Sequence, residues 1–180
     1  MGQGNDIREI LFSEAELKAK VAELGKQLKE DYDGKIPLVV GVMKGAFVFT
    51  ADLVRAMDCP VQMDFIIAKS YGNSTQTSGS VKIIKDLEND ISGRHVILVE
   101  DIIDSGVTMS KLIKMLNTRN AASIKLCALL SKPSRRQVDV TIDYCGWEVQ
   151  DHFVVGYGLD YAEKYRNLPY IGILKPEIYS

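Results

Sequence analysis

The sequence predicts an α/β fold built on a largely parallel, doubly wound sheet flanked by helices, and three observations carry that expectation. Short runs of β-branched and apolar residues without polar alternation recur along the chain, as in strands buried on both faces of a parallel sheet. Segments with helical spacing separate several of these runs, which gives β–α–β order. The 180 residues are 46% hydrophobic and contain no Pro- or Gly-rich linker, which suits a single domain over residues 1–180 with a substantial core.

Taken in order, Ser13-Glu14-Ala15-Glu16 reads as a capping box, and Leu17, Val21, Leu24 and Leu28 then recur at helical spacing. Pro37-Leu38-Val39-Val40-Gly41-Val42 reads as a buried strand, followed by a helix over about 46–57 and a strand over about 61–68. Residues 72–80 collect Gly, Asn, Ser, Thr and Gln with no apolar anchor, the composition of a mobile loop and a plausible lid. Further strands are expected at 81–85, 95–100, 123–131 and 138–144, with a helix over about 108–116. No internal repeat or low-complexity segment interrupts this order.

Composition narrows the function. A net charge of −2 leaves no basic footprint for nucleic acid, so a binding site for anions would rest on locally placed groups. Cys59, Cys127 and Cys145 are odd in number, far apart and without ligand spacing, which argues for reduced, packed thiols rather than a disulfide framework or zinc site. No apolar stretch approaches membrane-spanning length, and the N-terminal residues lack the pattern of a signal peptide, so the expected compartment is the cytosol.

The most informative stretch runs from Val99 to Met109. The apolar run His95-Val96-Ile97-Leu98-Val99 leads into Glu100-Asp101, a third acid at Asp104, and then Ser105-Gly106-Val107-Thr108 where a helix would begin. In open α/β sheets ligands bind beyond the carboxyl ends of strands, and backbone N–H groups at a helix N-terminus make an anion site. Acids beside an anion repel it unless hydroxyls or a cation intervene. Ribose diols and Mg²⁺, which is held by one or two carboxylates plus substrate phosphates, both qualify. A strand end with solvated acids before an ordinary helix cap is the plainer alternative for any single acid.

This segment resembles the phosphoribosyl pyrophosphate (PRPP) signature of the purine phosphoribosyltransferases. The wider chain, from about Ile7 to Tyr179, is similar to the bacterial branch of that family that uses hypoxanthine. Met43-Lys44-Gly45-Ala46, Lys69-Ser70-Tyr71-Gly72, Leu130-Ser131-Lys132-Pro133 and the stretch from Phe153 to Tyr161 match in the same order. The resemblance implies a type I phosphoribosyltransferase fold with a small hood from the N- and C-terminal segments and a flexible active-site loop at about 70–80. It implies an Mg²⁺-dependent purine-salvage reaction in which PRPP and hypoxanthine or guanine give IMP or GMP and pyrophosphate. A homodimer or homotetramer is the family expectation, with no nucleic acid or membrane partner.

The roles implied by the resemblance fall on matching positions. Asp104 matches the proton acceptor, and Glu100 and Asp101 match the residues that hold the ribose hydroxyls and Mg²⁺. Ser105, Gly106, Val107 and Thr108 match the 5′-phosphate cradle, with Val107 a departure because some relatives carry Lys there. Lys44, Gly45 and Arg166 match the pyrophosphate contacts, and the Lys44–Gly45 peptide can be cis in the family. Ser70 and Tyr71 match the closing flap. Lys132, Phe153, Val154 and Asp160 match the base pocket, Asp160 also resembling a second Mg²⁺ ligand. Lys132 offers donors only, so it suits a 6-oxo purine and not the 6-amino group of adenine. Trp147 and Gln150 stand where the family often has Phe and Pro. A regulatory protein on the same fold, sensing nucleotides and binding RNA or DNA, is the alternative that fold resemblance alone does not separate. Against it stand Asp104, Lys132, Asp160 and Arg166 together, and the shortness of the basic run Lys132-Pro133-Ser134-Arg135-Arg136.

Overall fold

The computed structural model describes residues 3–70 and 81–180. Its main sheet is built from β2 (Leu38–Met43), β3 (Gln62–Ser70), β4 (Val81–Lys85), β5 (His95–Ile103), β6 (Ser123–Ser131) and β7 (Tyr144–Glu148). Their spatial order is β4-β3-β2-β5-β6-β7, parallel throughout except for the antiparallel β3–β4 edge. Runs that read as uniformly apolar in sequence are sorted here by period two. Val39, Ile97, Val99, Cys127 and Leu129 face α1 (Glu14–Asp31) and α2 (Phe47–Ala56). Leu38, Val40, Val42, Val96, Leu98, Leu126 and Ala128 face α3 (Val107–Asn117). Helices therefore cover both sides, as a parallel sheet requires.

The capping box forms as expected: the Glu16 N–H donates to Ser13 Oγ (3.3 Å) and the Ser13 N–H to Glu16 Oε2 (2.8 Å). A second sheet joins β1 (Ile7–Phe12), β9 (Ile171–Leu174) and β8 (Val154–Val155) in the antiparallel order β1-β9-β8. Ile171, Ile173 and Val154 share the α1/α2-side core, with Phe12 stacked on Trp147 at 4.1 Å. Trp147 thus packs against β1 rather than into the ligand clefts described below. A short helix, α4 (Pro176–Tyr179), ends the chain.

Two strand expectations need correction. The last strand of the main sheet spans Tyr144–Glu148, not 138–144. Residues 138–143 alternate in polarity because Val140 and Ile142 pack on the α3-side core, but they form no ladder. β5 runs to Ile103, three residues beyond the expected end, so Glu100 and Asp101 lie within the strand. All three cysteines are free thiols, Cys127 being buried with its thiol pushed up by burial.

Candidate active site

The chain crosses from β2 through α2 to β3 on one side, while β5 lies against β2 on the other, so the sheet order reverses between β2 and β5. Their pairing stops at Gly41 and Val99, whereas β5 continues alongside β6 as far as Ile103 and Ser131. Beyond Val99 the two strands no longer hydrogen-bond, and a crevice opens at the carboxyl end of the sheet, where ligands bind in folds of this class.

Two adjoining clefts occupy this edge. One, of about 200 Å³, is lined by Met43, Gly45, Glu100, Ser105, Gly106 and Thr108, among others. The other, of about 510 Å³, is lined by Asp101, Lys132, Asp151, Phe153, Val154 and Asp160, with Arg135 and Tyr179 at its border. Asp104 and Ile102 line both. Asp104 Oδ1 is buried and accepts no hydrogen bond from any described residue.

The smaller cleft ends on the turn that starts α3. Gly106 is the N-cap in the left-handed region (φ 78°), and a β-carbon there would lie 2.6 Å from the Val138 carbonyl oxygen, so only glycine fits. The N–H groups of Gln137 and Val138 both donate to the Ser105 carbonyl (3.0 and 3.1 Å), which fixes the turn from behind. Gly106, as N-cap, has no side chain to cap the first turn of α3, and the Val107 N–H donates weakly to Ser105 Oγ (3.4 Å).

On the β2 side, the turn after Met43 packs directly on the acids: a β-carbon at Gly45 would overlap the Asp101 carboxylate. A cis peptide lies at Met43–Lys44, one bond before the Lys44–Gly45 peptide to which the family resemblance points. A β-carbon at Gly158 (φ 103°) would overlap the Gly45 carbonyl, so the 156–166 segment seats on this turn. Arg166 donates from Nη1 to the Gly158 carbonyl (2.8 Å) and pairs through Nη2 with Asp160 Oδ1 (2.9 Å). Asp160 Oδ2 accepts the Glu163 N–H (2.8 Å), and Glu163 reaches both Lys44 Nζ (3.1 Å) and Arg166 Nη2 (3.3 Å). Glu163, unremarkable in sequence, thus ties the two cations together.

Burial dominates the electrostatics of the paired acids. Asp101 is 8% exposed, and its carboxyl is pushed up by burial against the hydrogen bond it accepts from the Ile102 N–H at 2.8 Å. Glu100 is pushed well above the usual carboxylate range, first by burial and then by the Asp101 charge. Lys132, 7% exposed, directly follows β6 and lines the larger cleft. Phe153 stacks on Tyr179 (4.8 Å) and meets Tyr161 edge-on (5.4 Å).

A family model described as a phosphoribosyl transferase domain matches residues 8–162. The chain belongs to the phosphoribosyltransferase family. It is 54% identical to the hypoxanthine-guanine phosphoribosyltransferase of Bacillus subtilis over 98% of each chain. It is 57% identical to the bifunctional protein TilS/HprT of Listeria monocytogenes, covering 98% of this chain but spanning 27% of that longer protein. A crystal structure of a hypoxanthine phosphoribosyltransferase from Staphylococcus aureus superposes with a TM-score of 0.95 at 44% identity, over 98% of this chain and 96% of that one.

This phosphoribosyltransferase brings Gly45, Glu100, Asp101, Asp104, Ser105, Gly106, Thr108, Lys132, Phe153, Val154 and Asp160 to the two clefts. Val107 opens α3 beside them. Lys44 and Arg166 stand behind the Gly45 turn, Arg166 bordering a separate groove between α1 and α2. Ser70 ends β3, while Tyr71 and the expected lid at 71–80 lie outside the described residues. Among the described residues no group of three or more acids, histidines or cysteines could hold a metal unaided. The oxygen donors of Glu100 and Asp101 fit Mg²⁺, which takes one or two carboxylates and completes its shell with substrate phosphates and water. Sequence reasoning missed Asp151 and Tyr179, whose place in the larger cleft is set by contacts between segments far apart in the chain.

Proposed function

We propose that the chain is a purine-salvage enzyme that transfers the 5-phosphoribosyl group from PRPP to hypoxanthine or guanine, yielding IMP or GMP and pyrophosphate. The observation that carries this reading is Asp104, whose unpartnered buried oxygen stands where the two clefts meet, beside a buried lysine.

In this reading the 5′-phosphate sits on the Ser105–Thr108 turn, where backbone N–H groups at the start of α3 and the Ser105 and Thr108 hydroxyls donate to it. Glu100 and Asp101 accept hydrogen bonds from the ribose hydroxyls and hold Mg²⁺. When bound, Mg²⁺ neutralises charge on the departing pyrophosphate. Asp160 spends both oxygens on Arg166 and the Glu163 N–H, so it serves chiefly to hold that arginine near the pyrophosphate end of the site. The Lys44–Gly45 turn closes the same end.

The purine enters the larger cleft with its 6-oxo group accepting from Lys132 and its ring against Phe153. Its attacking ring nitrogen bonds to the anomeric carbon as the carbon–oxygen bond to pyrophosphate breaks, and the proton on the opposite ring nitrogen passes to Asp104. Positive charge spreads over the ribose in that transition state, beside buried carboxylates that water does not screen. Adenine presents a donor to Lys132 and is rejected.

The working unit in this proposal is a cytosolic homodimer or homotetramer; Phe47, Met63 and Phe65 remain 44%, 38% and 38% exposed in the single chain. A spectrophotometric assay with PRPP and Mg²⁺ against hypoxanthine, guanine, xanthine and adenine tests the activity. Turnover of the first two with none of adenine is expected, and inactivity on all four overturns the proposal.

A further inference from the structure

Charged side chains alternate in sign along one wall of the base cleft. Asp104 Oδ1 lies 3.7 Å from Lys132 Nζ, and that ammonium lies 3.6 Å from Asp151 Oδ1. Asp151 Oδ2 in turn lies 3.2 Å from Arg135 Nη1. All of them line the larger cleft. The reaction described above uses Asp104 and Lys132 and gives Asp151 and Arg135 no task.

The distances are informative because the lysine touches neither acid. A charge-assisted N–H···O bond closes to about 2.7–2.9 Å, yet Lys132 stands well beyond that from both carboxylates. A buried ammonium facing a single carboxylate would close on it to make that bond. Here two carboxylates compete for it at nearly equal distance. Arg135 draws on the far oxygen of Asp151 and prevents that acid from winning.

We propose that Asp151 is a positioning residue that holds the Lys132 ammonium off Asp104, with Arg135 as its counterweight. Two consequences follow for the reacting groups. The Asp104 carboxylate stays free of the lysine to take the purine proton, and the Lys132 donors stay available for the 6-oxo group. The inference rests on the reading that Lys132 meets the base and Asp104 takes the proton.

The test is steady-state kinetics on the full chain with hypoxanthine and PRPP varied separately. In Asp151→Asn the lysine closes on Asp104, so kcat/KM for hypoxanthine falls roughly tenfold while KM for PRPP stays within about twofold, a split that general loosening would not produce. Asp151→Glu restores most of the loss. Once Asp104→Asn has removed the acceptor, adding Asp151→Asn lowers kcat no further, whereas independent structural damage would multiply. Arg135→Met acts the other way, drawing Lys132 towards Asp151 and raising KM for hypoxanthine roughly threefold with kcat nearly held; this exposed substitution carries the test if Asp151→Asn unfolds. Wild-type kcat/KM for hypoxanthine in Asp151→Asn, or a KM for PRPP that rises severalfold alongside the loss, overturns the proposal. Lys132→Met run in parallel separates the two levels. If it raises KM for hypoxanthine while Asp151→Asn is silent, only the role of Asp151 falls; if it is silent too, the reading of the base cleft falls with it.

Discussion

Asp64 on β3 and Asp101 on β5 are both buried carboxylates of the same sheet, 5% and 8% exposed, and they meet burial in opposite ways. Asp64 accepts the N–H groups of Phe65 (2.7 Å), Glu88 (2.8 Å) and Asn89 (2.9 Å) and the Asn89 amide (2.9 Å), with Lys85 Nζ at 3.6 Å. Burial alone would raise its pKa, but these donors outweigh it and hold the carboxyl below the usual range. Asp101 accepts from the Ile102 N–H, and burial pushes it up, as it does Glu100 beside it. One carboxylate is completed from within and ties β3 to the turn after β4. The others are left incomplete at the crevice, in a state that a sugar diol or a divalent cation relieves. Satisfaction of a buried charge, rather than burial itself, separates architecture from the site.

Asp104→Asn tests the incomplete side most sharply. It removes the proposed proton acceptor while keeping shape, so turnover falls by roughly 10²–10⁴ with the thermal unfolding midpoint unchanged. An unaltered turnover would place Asp104 among ordinary helix-entry acids. Asp64→Ala tests the completed side. It strands several buried donors and lowers stability by about 3 kcal/mol in urea unfolding at pH 7, while activity per folded molecule holds. The native pKa of Asp64 is depressed, so its contribution is present above the unfolded value of about 4 and fades as pH falls through the native one. The gap between parent and variant therefore narrows in strong acid.

Much of the sheet is readable in the sequence because its strands are local, apolar and bounded by turn chemistry. The β6 strand at Ser123–Ser131 and the Ser13 capping box appear where expected. What the sequence hides is decided at long range. Ile7–Phe12 becomes a strand by pairing with Ile171–Leu174, some 160 residues away, and neither run is distinctive alone. Val138 to Tyr144 alternates like a strand, yet Val140 and Ile142 bury their side chains while the backbone at Gln137 and Val138 serves the Ser105 turn. The candidate site shows the same division. Glu100, Asp101 and Asp104 announce themselves by sitting after a buried strand. Asp151 and Glu163 look like ordinary surface acids until Lys132 and Arg166 are brought to them.

Glu100→Gln probes the smallest and least intuitive part of the contrast, because removing a functional acid should strengthen the ligand-free fold. Burial and the neighbouring Asp101 charge raise the native pKa of Glu100 above its unfolded value. The native state then holds its proton more tightly than the unfolded chain, so the penalty is absent at low pH and grows as pH rises from about 4.3, the ordinary glutamate value. Gln carries no such charge. Without PRPP or Mg²⁺ the variant is expected to be more stable than its parent by about 1 kcal/mol at pH 7.5, the advantage closing towards pH 4. Urea midpoints measured across that range read the difference directly. With PRPP and Mg²⁺ added the order reverses, since the parent gains a partner for its charge and the variant gains less. A variant less stable than its parent throughout would move Glu100 to the side of Asp64, as an acid completed by the fold itself.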